Sequence, residues 1–188
     1  MKVLIACEFS GIVREAFKAR GHDAWSCDLL DTEIPGKHIK ADFRSVIQDT
    51  WDFVGYHYEC RVMANSGVRW LHSVSGRWEE LNRACKIFNL TLKDERPGYS
   101  ENPIQHKYAR ERILRKYNQI IHPWQFGHTT TKATCLWLRE LPNLIPTNII
   151  PVEQRTHEIH LEPPGPERWK NRSRTFSGIA RAMAEQWG

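Results

Sequence analysis

The chain has 188 residues, 40% hydrophobic and 26% charged, which suits a single globular core spanning 1–188. No run approaches the ~20 apolar residues that a membrane span needs, and the amino terminus reads straight into an apolar strand with no cleavage site, so a cytoplasmic protein is expected. The formal charge of +5 permits an anionic partner without requiring one.

Val3 to Ala6 is a short apolar run, followed by the turn Glu8-Phe9-Ser10-Gly11 and by helical spacing at Ile12, Val13, Ala16 and Phe17, closed by Gly21. Ala24 to Cys27 reads as a second strand ending at Asp28, so the chain opens as a βαβ unit and a mainly parallel sheet follows. Ile39 to Phe43 predicts a further short segment ending in an acid, Asp42, and Trp51 to Tyr56 a buried strand that leads into His57-Tyr58-Glu59-Cys60. Arg77 to Leu92 has helical spacing and runs past Arg96-Pro97-Gly98 into Tyr99-Ser100-Glu101-Asn102-Pro103. Beyond it, Tyr108 to Tyr117 predicts a basic helix, Thr134 to Leu138 a strand, and Arg174 to Trp187 an amphipathic helix.

The five cysteines are scattered, with no CxxC pair and no Cys/His spacing of a metal site, and His122, His128, His157 and His160 show no ligand pattern. Reduced thiols and no metal are expected. Basic residues alternate with aromatics at Arg69-Trp70, Arg77-Trp78, Arg115-Lys116-Tyr117 and Arg168-Trp169-Lys170. Such stretches can neutralise phosphates and stack on bases, or equally anchor ordinary surface helices.

A turn with a small residue between the first strand and helix lets backbone amides approach a ligand, and an acid closing the second strand can accept from ribose hydroxyls. Glu8, Phe9, Ser10, Gly11 and Asp28 stand at those places, although Gly11 alone also fits a tight turn and Asp28 a solvated strand end. Asp42 could accept from an adenine amino group, with Phe43 stacking on the ring. The dinucleotide fingerprint GxGxxG is absent, and S-adenosylmethionine fits the set better than NAD or FAD.

In this order the segments ACEFSG, Asp28, Asp42, WDFVGYHYEC, SENP and RSRTFSGIARAM resemble the DNA cytosine-C5 methyltransferase superfamily. NSGVRWL, PWQFGH, KATCLWL and PPGPERWK are similar to its short phage and prophage members in particular. The resemblance implies an α/β, Rossmann-like S-adenosylmethionine-dependent methyltransferase fold with helices on both faces of the sheet. It also implies Cys60 as the nucleophile at cytosine C6, Glu101 as the acid at N3, and Arg155 as a basic helper at the pyrimidine.

The chain departs from the family's Pro-Pro-Cys loop with Tyr58-Glu59-Cys60, which removes two φ-fixing prolines and sets a carboxylate beside the thiol. No separate target-recognition region fits between SENP and the last helix, so DNA binding of low sequence specificity is expected. Two further readings stay open: a methyltransferase-like protein that binds DNA or cofactor without turnover, and an enzyme acting on RNA or a free nucleotide.

Overall fold

The computed structural model describes residues 1–188, the side chain of His160 excepted. Seven strands form one sheet: β1 Lys2–Ala6, β2 Asp23–Asp28, β3 His38–Lys40, β4 Phe53–Tyr56, β5 Gly98–Pro103, β6 Gln119–Ile121 and β7 Thr134–Arg139. Their order is β3-β2-β1-β4-β5-β7-β6. The first five run parallel, while β7 lies antiparallel between β5 and β6. The helices are α1 Ile12–Ala19, α2 Phe43–Val46, α3 Arg77–Leu92, α4 Lys107–Arg110, α5 Glu158–Leu161, α6 Arg168–Ser173 and α7 Ser177–Trp187.

Strand alternation sorts the core into two faces. Val3, Ile5, Phe53, Tyr99, Leu136 and Leu138 point to the side covered by Val13 and Phe17 of α1 and by Ile179, Met183 and Trp187 of α7. Leu4, Ala6, Val54 and Tyr56 point to the other side, covered by Phe43 and Val46 around α2, while Cys135 and Trp137 meet Leu81, Ala84 and Phe88 of α3. The parallel strands are therefore nearly continuous in apolar residues, as a sheet covered twice requires. The architecture is α/β and compatible with a Rossmann-like fold, with the order reversing between β1 and β4.

That switch point positions everything that follows, because ligands of open α/β sheets lie beyond the carboxyl ends of the strands where the order reverses. Cys7 leaves β1 at φ 60 in the left-handed region, which a non-glycine residue adopts only when its surroundings hold it there. Gly11 (φ 76) then enters α1, and a Cβ at that position would stand 2.6 Å from Nη2 of the buried Arg14. Arg14 donates to Ser26 Oγ at 2.9 Å, Thr32 Oγ1 at 3.1 Å and the Ile34 carbonyl at 2.5 Å, so the first helix clamps the loop after β2.

Two sequence expectations need correction. The basic stretch 108–117 holds only the tail of a single helical turn, α4, because Arg112 Nη1 turns back to the Tyr108 carbonyl and Asn89 takes the Arg112 carbonyl and Leu114 amide. The 39–43 segment is split: β3 ends at Lys40, and Asp42 caps α2 by accepting the Arg44 amide at 2.9 Å.

Candidate active site

At the carboxyl ends of β1 and β2 the Glu8 side chain folds back onto α1. Its carboxylate accepts the Val13 amide at 2.6 Å, the Arg14 amide at 3.2 Å and the Ser10 hydroxyl at 3.2 Å. Glu8 thus satisfies the orphan donors of the helix start from inside the protein, and its burial pushes the carboxyl above the usual range. Ser10 and Phe9 are buried with it, and Phe9 lies against Trp169 of α6 with ring centroids 5.9 Å apart. On its helix side the turn is closed, with the Ile12, Val13 and Arg14 amides engaged by the Ser10 and Glu8 side chains.

Open polar groups stand on the other side of that turn. Asp28 ends β2, accepts the Leu30 amide at 3.0 Å, and has its carboxyl raised by partial burial. Asp42 forms a two-point pair with the exposed Arg44, whose hydrogen bonds hold its carboxyl below the usual range. Burial pushes the thiol of the half-buried Cys7 well up, and Asp28, Cys27, Asp42 and Glu59 nearby add to the shift. These acids gather negative potential beside the β1–β4 switch point, a fit for a cationic or hydroxyl-bearing ligand. Phe43 offers no free face to a ring, because it is 5% exposed and takes edge-on contacts from Tyr56 at 5.7 Å and Tyr58 at 6.1 Å.

A second cluster forms at the ends of β4 and β5. His57 stands with Nε2 2.7 Å from the Tyr99 hydroxyl and Nδ1 3.5 Å from Glu101 Oε1. Burial pushes Glu101 up, but His57 and Lys132 outweigh it and hold the carboxyl below its usual range. The Cys60 thiol is within electrostatic reach of Glu101, Lys132 and Glu59. It is pushed up to about 11, chiefly by burial and then by Glu101, against which Lys132 acts. The neighbouring Glu59 is a lesser cause, because Arg61 draws its carboxylate outward at 3.1 Å. At neutral pH such a thiol is overwhelmingly protonated.

The loop that lacks the two prolines is held by other means. Asn102 Nδ2 donates to the Tyr58 carbonyl at 3.2 Å, the Cys60 carbonyl accepts the Met63 and Ala64 amides, and His106 Nε2 lies 2.8 Å from the Val62 carbonyl. Side chains of β5 and the turn after it thereby fix both flanks of Cys60.

Glu101, His57 and Lys132 line a cleft with Thr134, Thr175 and Phe176, of about 20 Å³, room for a single water. The segment from α6 into α7 covers it through three contacts: Trp169 on Phe9, Arg174 paired with Glu33 at 2.6 Å, and Lys132 Nζ donating to the Arg172 carbonyl at 2.7 Å. A ligand larger than water enters this cleft only when that segment moves.

Arg155 lies elsewhere, its guanidinium 3.6 Å from the Trp124 ring centre with Nε donating to the Ile150 carbonyl at 3.0 Å. The cation at the cleft is Lys132, which residue spacing did not single out, since one lysine in a polar loop carries no motif. His57 was likewise legible only as part of the loop before Cys60. Of the basic-aromatic pairs, Trp70 and Trp169 are exposed beside Arg69 and Lys170, whereas Trp78 and Tyr117 pack against the core cluster of α3. No helix among the described residues is long and apolar enough to cross a membrane, and no group of three or more metal-ligating side chains occurs among them. No protein-family model and no curated protein matches the chain.

Proposed function

We propose that the chain is an S-adenosylmethionine-dependent methyltransferase acting on C5 of cytosine in DNA. The observation that carries this reading is that the chain brings Cys60 within electrostatic reach of Glu101. They are 41 residues apart, Glu101 within β5 and Cys60 on the loop after the neighbouring β4, at the end of the sheet where Asp28 and Asp42 also lie. S-adenosylmethionine supplies the methyl group. Asp28 would hold the ribose hydroxyls, and Asp42 the adenine amino group once the exposed Arg44 swings away. Cys60, as thiolate, would add at C6 and make C5 nucleophilic, with N3 taking a proton from solvent by way of Glu101, which His57 keeps oriented; after C5 takes the methyl group, its proton would leave to solvent and the thiolate would be eliminated from C6, giving 5-methylcytosine. With the target base flipped out of the duplex, the cover at Ser173 to Phe176 would close over it.

A second reading, a protein that binds DNA or cofactor with little turnover, is favoured by the protonated Cys60 and the narrow cleft. Incubation with cytosine-containing DNA and methyl-labelled S-adenosylmethionine, followed by mass spectrometry of the nucleosides, separates the two. Label in 5-methylcytosine, lost in Cys60→Ser, is the expected outcome. Tight cofactor binding with no labelled nucleoside would leave the binding reading in its place.

A further inference from the structure

A chain of hydrogen bonds runs from the core to the loop after β2 and ends at Asp28. Strands β2 and β3 pair in parallel with Ser26 opposite His38 and Asp28 opposite Lys40, and residues two apart along a strand share a face. Arg14, which has no exposed surface, donates through Nη1 to Ser26 Oγ at 2.9 Å, and Ser26 Oγ stands 2.8 Å from His38 Nδ1. Across the ring, His38 Nε2 lies 2.9 Å from the Leu30 carbonyl, and the amide of the same Leu30 donates to Asp28 Oδ1 at 3.0 Å. The Leu30 carbonyl can only accept, so Nε2 carries the proton. In the neutral ring Nδ1 is then bare and accepts from the Ser26 hydroxyl, whose lone pair takes Arg14. Each link has one donor and one acceptor, all in the same direction.

We propose that His38 is a positioning residue for Asp28: it holds Leu30 by the carbonyl, and the Leu30 amide in turn holds the Asp28 carboxylate in the orientation that the ribose hydroxyls of the cofactor meet. The rest of the loop is tied by other side chains. Arg14 also donates to Thr32 Oγ1 at 3.1 Å and to the Ile34 carbonyl, and Lys40 Nζ donates to Asp31 Oδ2 at 2.8 Å, so 31–34 is fixed without His38. Leu30 lies ahead of those ties and is 36% exposed, so packing does little to fix it, and the His38 ring is the group that takes its carbonyl. His38 itself touches no ligand in this role.

The inference rests on the proposed reading in which Asp28 binds the cofactor ribose, and its first readout needs no ligand. Amide hydrogen exchange is followed residue by residue by NMR in the parent, His38→Leu, His38→Gln and Asp28→Ala; His38→Gln keeps a side-chain donor for the Leu30 carbonyl. The Leu30 amide is expected to exchange roughly tenfold faster in His38→Leu, as in Asp28→Ala, and to stay near the parent in His38→Gln, with Leu4 and Ile5 of β1 unchanged. In calorimetry His38→Leu should then weaken S-adenosylmethionine binding by about tenfold, and should weaken it no further in the Asp28→Ala background. Unchanged Leu30 exchange in His38→Leu would overturn the proposal, as would equal acceleration in both His38 variants or in β1, which would mark a packing effect. An affinity that His38→Leu leaves unchanged, or lowers equally in both backgrounds, would also overturn it. No binding of S-adenosylmethionine by the parent, with the exchange pattern intact, would remove the cofactor reading and leave the hold of His38 on Asp28 standing.

Discussion

Asp28 and Asp42 differ in what already engages them. Asp28 spends one oxygen on the Leu30 amide, and Asp42 is clasped by Arg44. A ligand therefore meets Asp28 first, and Asp28→Ala should weaken S-adenosylmethionine binding in calorimetry by about tenfold or more, as loss of a charge-assisted hydrogen bond does. An unchanged affinity would move the ribose contact away from β2. Asp94 gives a pH signature independent of the site. Burial would raise its carboxyl, but the hydrogen bonds from Arg96 and from Tyr56 at 2.6 Å win and hold it below the usual range. A depressed folded value means its stabilisation is present above the unfolded pKa of about 3.9 and is lost as pH falls through the folded value. Asp94→Asn should cost about 1–3 kcal/mol at pH 7 by denaturant unfolding, with the gap to the parent closing below pH ~4. A gap that does not narrow between pH 5 and pH 2 would contradict this origin.

At the scale of elements, the cover formed by α6 and the link to α7 is the part whose motion the account requires. Its ties reach three different places, Phe9, Glu33 and Lys132, so weakening one should loosen the segment without unfolding the sheet. Glu33→Gln removes the charge that Arg174 meets, and faster backbone hydrogen exchange across 168–176 with unchanged exchange in β1 and β4 is the expected result. Exchange faster everywhere would mean that the pair holds the fold instead. Strands β1, β2, β4 and β7 and helices α1, α3 and α7 were legible in the sequence because their apolar spacing is regular and each is bounded by a turn or a charged end. Strand β6 was not, since three residues give no period, and the antiparallel setting of β7 depends on partners that only the tertiary structure supplies. The site was half legible. Cys60 and Glu101 sit in recognisable segments, but the capping role of Glu8, the buried Phe43 and the cleft lysine depend on packing between distant residues.

For the whole molecule, the excess of five positive charges and the exposed Trp70 and Trp169 beside cations suit a phosphate backbone with adjoining bases. The partial burial of Trp78 and Tyr117 removes two of the four aromatic stretches from that surface, so the contact should be modest and dominated by charge. DNA affinity should fall steeply between about 50 and 200 mM salt as counterions are released, with little dependence on sequence in a fluorescence-anisotropy titration; a flat response would indicate a small-molecule substrate. The central claim is that Cys60 attacks cytosine, and a duplex carrying 5-fluorocytosine tests it most directly, because the fluorine at C5 blocks release of the adduct. In the presence of S-adenosylmethionine a protein–DNA complex that survives denaturation should form, should vanish in Cys60→Ser, and should form far more slowly in Glu101→Gln. A folded preparation that binds both cofactor and DNA yet gives no such complex would contradict it.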